Sequence, residues 1–538
     1  MDAGKRTIND IFNGNRILEI PFFQRAYVWG NDQWERLLED MENVSLSNKP
    51  YFLGSVILKQ QPTNTGNQVG DIRTLIDGQQ RLTTLNIFFK VLCLKTNQNS
   101  TFERIFKLIS NDIALKHNHN DIDAFEVILN LTEEKDLAGE DNITKAYTYF
   151  SKNIDPTKLN FQNILSKILF VGIDLDENED EQQIFDTINS LGVKLTTAEL
   201  LKNYFFNRTE INSYNVYWKN VFEKDDETKN YWDREITTGR LKRTFIDLFF
   251  YSYLQIKIQE NTFSVKTEDK IEFSKVEQLF ESYKKFIKEY LNNDKNAILA
   301  ELKEYALIFQ ESFDYDIIEN ELTDEYGVER INAIIFGLET STLIPYVLYV
   351  LKNVTDQQTK KELFEFLESF IMRRMVVNAN GINFFPTDDE LKNGFHSEIL
   401  VNKQSAGILY LLESKIRNRS LQSTQVLGIS KYSLEHLMPK KWENHWGKLS
   451  NQEDRIKRNR KLLTLGNLTI ITQSLNATIR DSSWATKKKG KGDKKGLLQY
   501  SGGLETISKY LQLPEWNEKT IEERANDLYE HAKTVWKK

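Results

Sequence analysis

The chain has 538 residues, more than one hydrophobic core usually serves, so two or three domains are expected. With 40% hydrophobic and 28% charged residues, including 32 Phe, 22 Tyr and 9 Trp, there is enough apolar surface to offset ordering entropy, which excludes wholesale disorder. A net charge of -7 excludes a uniformly basic nucleic-acid-binding surface, and a single cysteine, Cys93, excludes an intrachain disulfide framework or a Cys-rich zinc site.

The N-terminus, MDAGKRTIND, lacks the apolar stretch of a signal peptide, and the cysteine usage fits a reducing compartment, so a cytoplasmic location is expected. Residues 1–95 read as strand-rich. Tyr51 to Leu58 is a predicted strand, a Gly/Asn/Gln-rich turn follows, and Arg73 to Ile76 leads through Asp77-Gly78 into a helix that runs to about Leu94. Such a turn presents unpaired backbone N-H groups beside Gln79, Gln80 and Arg81, and anions bind where those donors and the helix dipole converge. Arg81 adds a planar bidentate donor for phosphate, and Asp77 could hold Mg²⁺; the same pattern also suits a capped helix with a structural arginine pair. No G-x-x-x-x-G-K-[ST] element occurs, which excludes a P-loop. Cys93 lies in IFFKVLCLK on the same helix and reads as core.

Residues 96–230 read as helical, apart from a strand over Ile168 to Ile173 closed by DLDENEDE, which suits a solvated loop or a weak cation site. Residues 231–425 carry Leu, Ile, Phe, Glu and Lys at helical spacing, as in Leu363 to Val377, and predict a helical middle domain. The greasiest stretch, Ile331 to Leu351, is broken by Asn332, Glu339 and Pro345 and predicts buried helices with no membrane partner.

A third domain, 426–538, holds KYSLEHLMPKKWENHW and, further on, LLTLGNLTIITQSLNATIRDSSWATKKKGKG. Phosphodiester hydrolysis needs a base to activate water and a cation to stabilise charge on phosphate. On a strand, Glu435 and His436 face opposite sides, so the acid can face a metal while the imidazole faces water. Asn467 follows Gly466 at a predicted turn, and the amide oxygen of Asn476 could complete a hard Mg²⁺ or Mn²⁺ site. Lys487 to Lys495 places six lysines against one aspartate, a flexible solvated loop or a local DNA-binding surface through Lys487, Lys488, Lys489 and Lys491. His117, His119, His396, His445 and His531 read as surface residues.

The order acid-His-x-x-Pro, Asn-Leu, then Asn before a lysine-bearing stretch resembles the HNH, or His-Me finger, nucleases. That resemblance implies a ββα-metal fold with flanking helices, His436 as general base, Glu435 and Asn476 as metal ligands, and Asn467 as a catalytic-site residue that orients the loop and histidine. Glutamate stands at Glu435 where aspartate is more usual. IPFFQRAYVW (Ile20 to Trp29), YFLGSVIL, IDGQQRLTTL and FDTINSLGVKLTTAELLKNYFF (Phe185 to Phe206) together resemble the N-terminal domain of the GmrSD, BrxU and SspE group of type IV restriction proteins, which place an HNH domain after it. The implied fold is α+β and multidomain, with a ParB/sulfiredoxin-like N-terminal domain. GTP or another NTP with Mg²⁺ would be bound and hydrolysed at Asp77, Gly78, Gln79, Gln80 and Arg81, with Gln24 and Arg25 lining the pocket. Tyr27 and Trp29 offer aromatic faces for stacking or packing, and Asn189 and Gly192 close the cleft or form a turn between helices.

The function so implied is a nucleotide-regulated, metal-dependent DNA endonuclease acting on modified phage DNA. The alternative is a nucleotide-binding DNA sensor or scaffold with an inactive HNH domain. Either is compatible with a homodimer, since abundant aromatic residues serve cores and interfaces alike.

Overall fold

A computed structural model describes residues 2–13, 16–21, 24, 26–47, 49–61, 71–118, 121–176, 196–206, 210–238, 241–379, 384–417, 426–500 and 504–538. The chain forms two compact units, Met1–Trp218 and Lys219–Lys538. Both mix helices with short sheets.

In the first unit the predicted strands appear and are joined by others. β1 (Asp2–Thr7), β2 (Arg16–Glu19), β3 (Tyr51–Gln60), β4 (Asp71–Asp77), β5 (Leu115–Lys116) and β6 (Ile168–Leu175) make one mixed sheet in the order β1-β6-β3-β4-β2-β5. β3 runs parallel to β6 and antiparallel to β4, and β2 runs parallel to β4 and to β5. The helix that follows Gly78, Gln79–Lys95, lies as predicted and is buried almost all round, with Leu82, Leu85, Phe88, Phe89 and Leu92 in the core. A helix without a solvated face belongs at the centre of a domain. Phe88 meets Phe150 edge to face at 5.7 Å, and Phe89 meets Phe106 at 5.3 Å. Burial keeps the Cys93 thiol protonated, pushing it up to about 12.

His117 is not at the surface. It is buried under the same helix, its Nε2 within 2.7 Å of Thr83 Oγ1, and burial depresses its pKa. His396 is also partly buried, with Nδ1 2.7 Å from Glu522 Oε2, while His445 and His531 are exposed.

The second unit is mainly helical, with hairpin β7 (Glu235–Thr238) and β8 (Leu241–Thr244), paired strands β9 (Tyr432–His436) and β10 (Leu468–Thr472), and a small hairpin of β11 (Gly490–Lys491) and β12 (Lys494–Lys495). The predicted helical run 363–377 lies almost entirely within helix Gln357–Val376. Two of its inward residues are charged. Glu368 takes a two-pronged pairing from Arg330, at 2.8 and 2.7 Å, and neither side chain reaches solvent. Arg330 also bonds Thr323 O and Ser414 Oγ, so the buried charge is fully occupied.

The end of the chain enters this same network. Trp536 Nε1 donates to Glu368 Oε1 at 3.2 Å, and Arg373 Nε donates to Trp536 O at 2.6 Å. Helix Asn402–Ile416 packs on β9, on β10 and on helix Glu518–Val535. Residues read from sequence as separate middle and C-terminal domains therefore share one core. Among the described residues no helix is long and apolar enough to cross a membrane.

Candidate functional site

In the second unit, β9 and β10 pair antiparallel with His436 opposite Leu468 and Glu435 opposite Thr469. β9 runs out at His436, three residues before Pro439, which has no N-H for a further ladder bond. Thr472 ends β10 and caps helix Gln473–Ile479, its hydroxyl accepting from Leu475 N. Two strands and a helix thus follow one another with Glu435 and His436 on the first strand, Asn467 just before the second and Asn476 on the helix.

Asn467 is fully buried, and its side chain is saturated. Its Oδ1 accepts from Met438 N and Trp516 Nε1, and its Nδ2 donates to Met438 O and Leu462 O, all at 2.9 Å. Its own carbonyl accepts from Leu437 N at 2.9 Å. Asn467 therefore cannot touch a substrate; it fastens the two residues that follow His436. Gly466 beside it is obligatory, because a Cβ there would lie 2.3 Å from the Ile521 carbonyl of helix Glu518–Val535. From that helix Arg524 reaches the turn, donating through Nη1 to Leu465 O, Gly466 O and Leu468 O at 2.8–3.2 Å. Sequence reading passed over Arg524, although Ile521, Ala525 and Leu528 mark the apolar face on which it sits.

Asn476 donates through Nδ2 to Ser433 Oγ and Leu434 O, both at 3.1 Å. With both donor hydrogens engaged by β9, the amide oxygen is the group left to accept. His436 is half-buried; burial first, then the positive charges of Lys440 and Lys487, hold its pKa down to about 4. At neutral pH the imidazole is uncharged and carries a lone pair able to take a proton.

Glu435 is only 6% exposed and forms an ion pair with Lys487, whose ammonium also donates to the His436 carbonyl at 2.7 Å. Burial raises the Glu435 carboxyl and lowers the Lys487 ammonium, each opposed by the partner's charge. Lys487 is thus corrected from its expected place on a DNA-binding surface: it is fully buried, and no phosphate could reach it unless it left its acid. Lys488 is partly buried, with Nζ on Leu513 O and over the Trp484 ring. Lys489 and Lys491 are exposed, as are Lys494 and Lys495 on the hairpin.

In the first unit, Gly78 turns β4 into helix Gln79–Lys95 at φ 107°, a conformation that favours glycine. Asp77 Oδ2 accepts from Ser55 Oγ at 2.5 Å and from Arg81 Nη2 at 3.0 Å, and Arg81 also donates to Ser55 O at 2.7 Å. Arg81 Nε is buried without a hydrogen-bond partner. Gln24 donates to Leu75 O and Ile76 O at 2.8 and 3.0 Å, while its Oε1 is likewise buried and unpartnered. Gln79 is buried as well. Gln80 accepts from Val28 N and Trp29 N at 2.9 and 3.3 Å and donates to Ala26 O, so this glutamine clasps the Ala26–Trp29 backbone. Tyr27 packs instead of offering its face: it is 3% exposed, with its hydroxyl bonded to Thr84 Oγ1 and Trp34 Nε1. Trp29 packs partly buried against the core. Arg25, Asn189 and Gly192 lie outside the described residues, as does most of DLDENEDE.

Two family models match this chain. Residues 8–206 match the N-terminal domain of the GmrSD restriction endonuclease, and residues 385–531 match the C-terminal domain of GmrSD restriction endonucleases. The candidate residues of both units fall inside those matches, which support a restriction nuclease role with both domains in one polypeptide. The chain belongs to the GmrSD-like type IV restriction proteins. In a comparison with curated proteins, nothing matches.

Proposed function

We propose that this protein is a nucleotide-regulated, metal-dependent DNA endonuclease that cuts or nicks modified DNA in the cytoplasm as a defence against phage. The observation that carries the nuclease reading is His436, a neutral imidazole at the end of β9, backed by a helix that presents the Asn476 amide oxygen. His436 takes a proton from the water that attacks phosphorus, and such a base typically contributes about 10²–10⁴-fold. Asn467, Arg524 and the β9–β10 ladder keep the histidine still while it does so. Exposed lysines Lys489, Lys491, Lys494 and Lys495 supply a local basic surface for the DNA backbone on an acidic chain.

The donor set fits a Mg²⁺ or Mn²⁺ ion in part. The Asn476 oxygen suits a hard cation that keeps several waters and takes phosphate oxygens as further ligands. Glu435 fits poorly in this arrangement, because the Lys487 ammonium already stands on its Oε1.

In the first unit, two orphaned buried atoms support a nucleotide site at the DGQQR turn. Arg81 Nε is a donor suited to a phosphate oxygen, and Gln24 Oε1 is an acceptor suited to an N-H or O-H of the ligand. The start of helix Gln79–Lys95, which has no side-chain cap, adds the positive end of its dipole. GTP or another NTP, with Mg²⁺, is the ligand of that chemistry, and its binding and hydrolysis would regulate cleavage.

The test is incubation of the parent, His436→Ala and Arg81→Ala with Mg²⁺ or Mn²⁺, NTPs, and plasmid and phage DNAs carrying different modifications. Cleavage of a modified DNA, lost in His436→Ala and altered by NTP only when Arg81 is present, is expected. Cleavage that survives His436→Ala overturns the assignment of the base. NTP that changes neither DNA affinity nor cleavage overturns the regulation. NTP-dependent DNA binding without cleavage of any DNA makes the protein a sensor or scaffold.

A further inference from the structure

The Glu435–Lys487 pair is, like Arg330–Glu368, one of the closed charge pairs of the second unit. Most ion pairs there leave one partner in solvent; this one is closed, with the lysine side chain at 0% and the glutamate side chain at 8% exposure. It joins two elements far apart in sequence, β9 and helix Trp484–Lys489. That helix is itself pinned, since Ser483 caps its first turn and Trp484 Nε1 donates to Leu513 O at 3.1 Å. The ammonium is therefore delivered to a set place. Its second bond, 2.7 Å to the His436 carbonyl, falls on the backbone of the general base.

A divalent ion cannot share that place. An ammonium in contact with Glu435 Oε1 occupies the position a metal would need on that oxygen, and two cations at one carboxylate oxygen repel strongly in a buried site. Freeing the carboxylate would strand a buried lysine, which is costly unless the side chain finds another partner. Asn476 has no such competitor, because its oxygen is left over after its two donors are engaged.

We propose that Lys487 is the built-in cation of this site: its buried ammonium, and not a divalent ion, is the partner of Glu435, and through the His436 carbonyl it positions the general base. Lys487 and Glu435 are then positioning residues, and a divalent ion is held on the side of Asn476 by that amide oxygen, water and substrate phosphate. This inference rests on the nuclease reading above for its metal, but the charge pair itself can be judged without cleavage.

The experiment compares Glu435→Gln, Lys487→Met, the double variant and Asn476→Ala in the full chain, using Mn²⁺ alone as the probe, thermal unfolding, and steady-state cleavage. Mn²⁺ affinity in Glu435→Gln within about twofold of the parent is expected, with a loss of about tenfold or more in Asn476→Ala. Each single charge variant should lower the unfolding midpoint by several degrees and the double variant should recover most of it, as a neutral pair replaces a stranded charge. In cleavage, the double variant should lose kcat per folded molecule, the folded fraction being fixed by the unfolding curve, at nearly unchanged KM. A tenfold fall of Mn²⁺ affinity in Glu435→Gln, with retained or tighter binding in Lys487→Met, overturns the proposal and makes Lys487 a competitor of the metal. Additive midpoint shifts in the double variant overturn it too. If the parent binds no Mn²⁺ and cuts no DNA, the nuclease reading fails while the midpoint coupling still decides the pair; if Lys487→Met does not fold, the double variant's midpoint and kcat decide it.

Discussion

Replacing Asn467 with alanine should be among the most damaging single changes in the second unit, for a reason that can be counted. The substitution deletes a fully buried amide and leaves two N-H donors, Met438 N and Trp516 Nε1, and two carbonyls, Met438 O and Leu462 O, without the partner they had. Each orphaned buried donor costs roughly 1–3 kcal/mol, the carbonyls less because a second acceptor lobe remains usable, and a water entering the void returns part of the loss. The expected destabilisation is about 3–5 kcal/mol. Asn467→Asp should fare no better: it keeps an acceptor for the two donors but sets an anion against two carbonyl oxygens. Because Leu437 and Met438 follow His436 directly, movement of this loop should also lower kcat, by about 10²-fold for a displacement near 1 Å. Urea unfolding followed by tryptophan fluorescence, beside cleavage at a temperature where the variant is still folded, measures both. A loss under about 1 kcal/mol together with parental kcat would refute the view that this amide holds the site.

His436→Ala should abolish cleavage while leaving the unfolding midpoint within a few degrees of the parent, since the imidazole is only half-buried; a circular-dichroism melt beside the cleavage assay checks this. The pH dependence of stability follows from the same residue. Its pKa is about 4 when folded and near 6.5 when unfolded, so below pH 6.5 the unfolded chain binds the extra proton, and stability falls as pH drops from 6.5 toward 4. His436→Asn should flatten that part of the pH–stability curve, and the acid limb of kcat/KM should lie well below pH 6; a limb at 6.5 would contradict the burial of the base. Glu368→Gln should cost about 3–5 kcal/mol by leaving the Arg330 charge buried and uncompensated, as read by urea unfolding. Gln24→Ala should weaken binding of a fluorescent nucleotide by about tenfold if its orphaned oxygen accepts from the ligand, and unchanged affinity would remove it from the pocket.

Much of the local structure was readable because its signals are local. The apolar run at Tyr51 to Leu58, the apolar strand at Ile168 to Ile173, and the Asp77-Gly78 turn into an apolar helix all carry their patterns within a few residues, and all appear with ends shifted only slightly. β2 and β5, by contrast, are short strands whose identity depends on neighbours more than 50 residues away in the chain, to which they pair. The C-terminal order of Glu435, His436, Asn467 and Asn476 was legible as a motif, and the structure brings all four onto one strand–strand–helix unit. Roles were less legible than places. Gln80 reads as a ligand-facing residue in DGQQR, yet its amide is occupied by the Ala26–Trp29 backbone.

By itself the sequence determined the chemistry available to this protein: a histidine beside an acid on a strand, two asparagines at fixed spacing, an arginine after a Gly turn, and lysines clustered where the rest of the chain is acidic. It did so because such motifs are set by spacing along the backbone. Which of these groups face a ligand, and which face each other, was decided only in three dimensions. Within a run of three lysines, Lys487 is buried on Glu435 while Lys489 is exposed, because successive positions on a helix point about 100° apart and only the packing of β9 against that helix determines which direction is the interior. The same holds for the chain's end, where Trp536 closes on Glu368 through a contact spanning 168 residues that no local pattern announces.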